Sequence, residues 1–410
     1  MLMNKYYTYV FTVEEYGILS LYLTFIAYLQ TIITFSMDSS WSRLYFDYKD
    51  RKKDFFSTVI IFSLMAIFFW FIVLAFSQEF IQNIIGGTTT IYWCSVVAVS
   101  ILAFVKICNS LAMLENEASL VRSQTIIQSI VNNTTSVLFV WLNFGIVSRI
   151  IGNICGGVCN LYYYVTRLRK KGYLVYGLMF DKVIFKKLQP FFLSTFFNTT
   201  VIATLSYVDR VLLNSYHGAA QVGIYSLGVL IGQGISLISE ACSMALFPTI
   251  INSLSDNYHE GIIQLKRMDN IFLLLYGLIF IIIFFSRDIL VLIFSNEHYL
   301  KASAIVPLIS LGYISGALYK NVSGVLSYHK IVWKVAFAGI FAYAIGALLN
   351  YFIIPIYAER GAALVFLLSV VIYSFCQHFF ARKYYFGFNY IIFRHLFIVG
   401  VGVSIFLFGF

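Results

Sequence analysis

"DRVLLNSYHGAAQVGIYSLG", Asp209 to Gly228, decides how this chain is read. An acid, a base and a histidine interrupt two long apolar runs, and the second run opens with "VGIYSLG". Much earlier stands "EYGILSLYL", Glu15 to Leu23. A shift of 206 residues lays Gly17 on Gly223, Ile18 on Ile224, Ser20 on Ser226, Leu21 on Leu227 and Ile32 on Ile238. The chain says nearly the same thing twice, half its length apart.

The apolar runs around both copies set the fold class. Of 410 residues, 60% are hydrophobic and only 11% are charged, where a soluble domain carries roughly a quarter charged residues. Runs of about 18 to 25 apolar residues are long enough to cross a bilayer as helix. The pattern predicts spans over 16–37, 55–77, 90–111, 123–142, 145–166, 187–207, 220–247, 268–286, 302–326, 332–355, 360–381 and 391–410. The expected class is therefore an all-α polytopic membrane protein with about twelve transmembrane helices. Its net charge of +10 does not point to nucleic acid. Most Lys and Arg fall in alternate loops, as cytoplasmic loops require. The stretch "RLRKKGYLVYGLMFDKVIFK", 167–186, is the richest. Lys320 fits neither set of loops.

With those loops inside, the first span and the seventh both run from outside to inside, with a six-helix period. Such a period preserves orientation, so the halves are parallel repeats. The same shift places the partner of span 187–207 ahead of residue 1, and an outside N-terminus agrees with an opening helix absent from the front. The expected organisation is an N-terminal lobe over 1–166 with about five helices, a basic cytoplasmic linker over 167–186, a six-helix C-terminal lobe over 187–381 and a trailing helix over 382–410.

The longer stretch "YVDRVLLNSYHGAAQVGIYSLGVLIGQGISLISEACSMALFPTI", Tyr207 to Ile250, resembles the polysaccharide-transporter branch of the MOP flippase superfamily, which includes the Wzx-type O-antigen and repeat-unit flippases. "EEYGILSLYLTFIAYL" matches that family's early segment, and "NYFIIPIYAERGAALVF", Asn350 to Phe366, resembles its later Pro–Gly–Ala–Ala turn. The resemblance covers nearly the whole chain, although family members usually carry another helix at the front and often another at the end. It implies a two-lobe flippase that moves a lipid-linked oligosaccharide by alternating access. The implied substrate is an undecaprenyl-pyrophosphate-type unit for O-antigen, lipopolysaccharide, capsule or exopolysaccharide. The implied setting is the bacterial inner membrane, with a glycan polymerase and chain-length machinery as candidate partners.

Ionisable groups at bilayer depth are costly and default to functional candidates. Lys320, in "GALYKNVSGVLSYHK", has two open roles: snorkelling to the headgroups, or pairing with a lipid diphosphate as a compact cation. Gln233, Ser236, Glu240 and Ser243 share one helical stripe. Glu240 either carries a coupling H+ or Na+, or hydrogen-bonds silently to a neighbouring helix. Thr34 stands at its position in the first repeat, beside Thr31 and Asp38. Gln124, Gln128, Asn132 and Thr135 form a further polar face, open between glycan binding and helix packing. Asp209 and Arg210 form either a local ion pair or a gate. Arg43 and Lys106 belong to the cytoplasmic mouth, to attract an anionic headgroup or to set topology.

No metal site or organic cofactor is expected. The six cysteines lie in apolar segments and the six histidines are scattered. No phosphate-binding loop with its lysine appears. Two other readings stay open: an H+- or Na+-coupled drug or metabolite exporter of the same superfamily, and an integral membrane glycan polymerase or ligase. The latter needs a long outer loop, and the longest here runs only from Arg287 to Lys301.

Overall fold

A computed structural model describes residues 2–40, 45, 48, 51–115, 117–172, 180–329, 331–384 and 388–408. Among these residues there is helix and no strand. The helices are α1 (Leu2–Val10), α2 (Val13–Ile33), α3 (Met37–Ser40), α4 (Lys52–Phe76), α5 (Gln78–Ile85), α6 (Thr89–Leu114), α7 (Ala118–Trp141), α8 (Val147–Lys170), α9 (Lys182–His217), α10 (Ala219–Asp256), α11 (Tyr258–Phe294), α12 (Val306–Leu318), α13 (Lys320–Tyr328), α14 (Val332–Ala381) and α15 (Phe388–Phe408). A 3-10 helix, Glu297–Ala304, precedes α12. Every segment read as a span lies largely in helix. Six of the described helices are long and apolar enough to cross a membrane, or seven if the 3-10 helix and α12, bent by 50°, count as one. The α14 helix serves two expected spans, because Ala358 leaves helical geometry at φ 47° between Pro355 and Gly361.

Two details depart from the sequence pattern. The polar residues after Tyr207 do not end a helix: α9 runs through Asp209 and Arg210 and stops at Gly218, whose φ of 83° suits glycine alone. Ahead of the first expected span stands α1, which the span pattern omitted. Its aromatic face buries Tyr7, with Phe11 just beyond, and the Thr8 carbonyl accepts from Asn296 Nδ2 at 2.6 Å.

The chain divides into two compact units, Ile18–Tyr207 and Met1–Gly17 with Val208–Phe410. The lobes drawn from the repeat place 187–207 with the later half, whereas compactness groups that stretch with the earlier one. In the Ile18–Tyr207 unit, α7 packs closely on α8. Gly152 and Gly156 allow it: a Cβ at Gly152 would lie 2.5 Å from the Asn132 carbonyl oxygen, and one at Gly156 2.9 Å from that of Gln128. Small residues four apart let membrane helices approach this closely. At one end, Phe55, Phe56, Cys108, Tyr164, Leu168 and Ile184 share a buried core.

In the other unit, the sequence repeat takes physical form. A Cβ at Gly17 would run into the Ala219 carbonyl and stand 3.1 Å from the Gly223 nitrogen. A Cβ at Gly223 would stand 2.6 Å from the Val13 carbonyl oxygen and 3.2 Å from the Gly17 nitrogen. The two glycines matched by the repeat thus meet each other, backbone to backbone. Gly17→Leu is expected to destabilise the purified protein by more than the roughly 1–3 kcal/mol typical of overpacking, because backbone and not a side chain must yield. Gly277→Ala is the control: a Cβ there meets no atom within 4 Å, so stability should hold or rise, by up to about 1 kcal/mol. Equal unfolding curves for wild type and Gly17→Leu would refute the close crossing.

Candidate functional site

The polar stripe of α10 is the centre of the candidate site. Gln233 and Glu240 are exposed on the Val208–Phe410 part of the chain, and Ser236 Oγ donates to Glu240 Oε1 at 3.0 Å. That bond uses one carboxylate oxygen and leaves Glu240 acceptor capacity to spare. Lys320 opens α13, directly after the break at Tyr319 that ends α12. It is half-buried, and the Glu240 carboxylate lies close enough to act on its charge. Lys320 makes no hydrogen bond and no ion pair with any described residue. Lys320 at the start of α13 thus comes within electrostatic reach of Glu240 on α10, which spacing along the sequence does not reveal.

Asp209 and Arg210 are engaged locally. Asp209 is buried; its Oδ2 accepts from the Tyr225 hydroxyl at 2.7 Å and its Oδ1 from the Arg210 backbone N–H at 2.7 Å. Arg210 Nη1 stands 3.6 Å from Asp209 Oδ1, with its guanidinium over the Tyr225 ring. Tyr313 on α12 feels Arg210, Asp209 and Glu240. Its phenol lies within electrostatic reach of both the ion pair and Glu240. Further along, Tyr319 and Tyr373 meet edge to face at 4.8 Å, and Tyr343 lies 6.1 Å from Tyr373. These tyrosines escaped the sequence reading, since an aromatic inside an apolar run gives no sign of where its hydroxyl ends up.

Gln128 lies elsewhere, in the α7–α8 pair. Its Oε1 accepts from Asn160 Nδ2 at 2.8 Å, and Asn132 Nδ2 donates to Asn153 Oδ1 at 2.6 Å. Arg149 also bonds to Asn132. Of the two roles open for that polar face, these bonds perform helix packing. It also explains why α7 and α8 are less apolar than their neighbours. Lys106 pairs with Asp38 at 3.1 Å, and Thr34 Oγ1 donates to the same carboxylate at 2.9 Å. Its charge is neutralised within its own unit. Arg43 lies outside the described residues.

A charge network at the basic end of the Ile18–Tyr207 unit also escaped the sequence reading. Arg167 bridges Glu115 at 2.6 Å and pairs with Glu117, while Lys171 reaches Glu115 at 2.6 Å and Glu117 at 2.5 Å. Burial works against the Lys171 ammonium, but the hydrogen bonds to both glutamates outweigh it and raise its pKa. Asp181 caps α9 by accepting from the Ile184 and Val183 N–H groups and from Arg51, which holds its carboxyl below the usual range. In sequence these basic residues read as topology signals and lipid-headgroup contacts. Among the described residues, no three His, Cys, Asp or Glu side chains gather as metal ligands.

A family model described as "Polysaccharide biosynthesis protein" matches residues 1–253. No curated protein matches. Among solved structures, the chain is similar to the lipid II flippase MurJ in an inward closed conformation, with a TM-score of 0.74 and 17% identity, covering 100% of this chain and 94% of that one. It is also similar to an inward-facing multidrug resistance MATE family transporter of the MOP superfamily, with a TM-score of 0.73 and 12% identity over 97% of this chain and 94% of that one. The Vibrio cholerae MATE transporter VcmN, in its bent form, matches at a TM-score of 0.60 and 14% identity over 92% of this chain and 95% of that one. The fold is that of the MOP superfamily.

Proposed function

The chain belongs to the polysaccharide biosynthesis protein family, and from that premise we propose that it is a flippase for a lipid-linked oligosaccharide. The proposed substrate is an undecaprenyl-pyrophosphate-type repeat unit for O-antigen, capsule or exopolysaccharide, carried across the bacterial inner membrane by alternating access. The observation that supports this most is Lys320. Its ammonium has no ion-pair partner among the described residues and lies within electrostatic reach of the exposed Glu240 carboxylate; Gln233 is exposed on the same helix as Glu240. A diphosphate supplies the anion that this cation lacks. The exposed amide of Gln233 suits sugar hydroxyls.

Glu240 gives the cycle a means of release. As a carboxylate it competes with the diphosphate for Lys320; protonated or cation-bound, it leaves Lys320 to the substrate. Binding of H+ or Na+ there would couple to substrate affinity by linkage. Asp209, Arg210, Tyr225 and Tyr313 then form the relay that reports the charge of this site to the end of α9. The exposed acid also suits the second reading, an exporter of organic cations with Lys320 as a bystander.

Expression in a strain lacking its own repeat-unit flippase separates the two. The flippase reading expects surface polysaccharide to return. No polysaccharide, with full-length protein in the membrane and resistance to cationic drugs gained, would replace it with the exporter reading.

A further inference from the structure

Away from the α10 stripe, α11 and α15 border an apolar groove of about 590 Å³, with Leu311 and Ile314 of α12 on its floor. It continues along α15 into a second hollow of about 430 Å³, which shares Phe280, Phe397 and Val401 with the first. The lining carries one charged side chain, Arg394.

Arg394 is only 6% exposed. Its Nη2 stands 3.1 Å from His378 Nε2. His378 Nδ1 lies 2.7 Å from the Ser374 carbonyl oxygen, which has no proton to give. Nδ1 therefore holds the proton, Nε2 offers a lone pair to the guanidinium, and His378 is neutral. On the far side of Ser374, its hydroxyl bonds to His395 Nε2 at 2.8 Å. Arg394 Nε is buried with no hydrogen-bond partner. No ion pair among the described residues includes Arg394. Among the described residues this buried guanidinium has only a neutral imidazole as a partner, and a buried charge so placed calls for an anion.

Two glycines keep the groove open. Gly277 of α11 and Gly400 of α15 both line it, and a Cβ added at either meets no atom within 4 Å. Glycine weakens a helix interior, and neither of these permits a close helix crossing as Gly17 and Gly152 do. From Arg394 to Ile405 the groove follows α15 for about 16 Å at about 1.5 Å per residue. That is about half of the roughly 30 Å hydrocarbon core of a bilayer, the depth of one leaflet.

We propose that this groove holds one acyl chain of an anionic bilayer phospholipid, with the lipid phosphate paired to Arg394. The single-leaflet length suits a phospholipid chain better than a longer polyisoprenoid. The proposal requires only that the chain sits in a membrane, and it stands or falls apart from the flippase reading.

Native mass spectrometry of the full chain tests it, with phosphatidylglycerol and phosphatidylethanolamine of the same acyl composition offered together. Wild type should retain one phosphatidylglycerol, preferred by about tenfold, because the ammonium of phosphatidylethanolamine neutralises its phosphate and is repelled by Arg394. Arg394→Gln should erase the headgroup preference. Gly277→Leu and Gly400→Leu should fold, as checked by circular dichroism and gel filtration, and lose the bound lipid by filling the groove. Retention of the preference in Arg394→Gln, or of the lipid in both leucine variants, overturns the proposal. So does release of the bound phospholipid by added polyprenyl-pyrophosphate glycan, which would assign the groove to that ligand.

Discussion

Lys320→Ala should leave a flippase-deficient strain without surface polysaccharide at normal expression, where the wild-type chain restores it. The ammonium opens α13 within electrostatic reach of Glu240 and has no ion-pair partner among the described residues. Removing a charge-assisted phosphate contact costs about 1.5–3 kcal/mol, roughly ten- to a hundredfold in affinity. Lys320→Arg should keep much of the activity, since a single phosphate contact needs a cation and not a particular fork of donors. Lys320→Gln should fail, because an amide supplies hydrogen bonds but no charge. Glu240→Gln should act in the opposite sense. Lys320 then keeps its charge without a competitor, so substrate binds more tightly and leaves more slowly. Full complementation by Lys320→Gln, with protein level verified by blot, would reduce this residue to an interfacial anchor.

Arg167→Ala should cost about 3–5 kcal/mol of folding stability, the usual penalty for breaking a buried ion pair by removing one partner. The side chains of Arg167 and Glu115 are each 9% exposed, so the substitution leaves a carboxylate in a closed setting. Lys171 remains in contact with Glu115 and Glu117 and pulls the value toward the lower end. Arg167→Met with Glu115→Leu should recover much of the loss, because an apolar pair of similar bulk carries no desolvation penalty. Arg51→Ala is the comparison. Arg51 also pairs with two acids, Asp54 and Asp181, but from an exposed position, and its loss should not register in the same unfolding measurement. A wild-type unfolding curve for Arg167→Ala would mean that Glu115 is solvated.

The sequence pattern reached the helices because lipid leaves little freedom: long apolar runs must be helical. It located the turn near Ala358 through Pro355 and Gly361, and it paired Gly17 with Gly223 before their backbones were known to touch. It failed where one residue's meaning depends on a distant one. Arg167 and Lys171 counted as topology signals, since nothing local marks Glu115 and Glu117 as their partners. For Gln128 the sequence left glycan binding and helix packing open, because nothing local names Asn160, a full hairpin away, as the donor to its carbonyl oxygen. Asp209 and Arg210 looked like a break, because polarity and helix termination often coincide; here termination waits for Gly218. Helix α1 was missed because its polar residues, Asn4, Lys5 and Thr8, dilute the apolar signal while Tyr7 and Phe11 do the packing. The 3-10 helix and the break before Lys320 follow from tertiary packing around α12, a buried helix that reads as one continuous apolar run.

The most direct measurement is translocation itself. Purified protein would be reconstituted into liposomes with a fluorescent polyprenyl-pyrophosphate oligosaccharide, and headgroup crossing followed by loss of access to an impermeant quencher. The proposed role predicts crossing with wild type, at least tenfold slower crossing with Lys320→Ala, and near-wild-type crossing with Lys320→Arg. Wild-type vesicles that move the glycan lipid no faster than protein-free ones, while the reconstituted protein retains its helical content and exports a cationic dye, would contradict it.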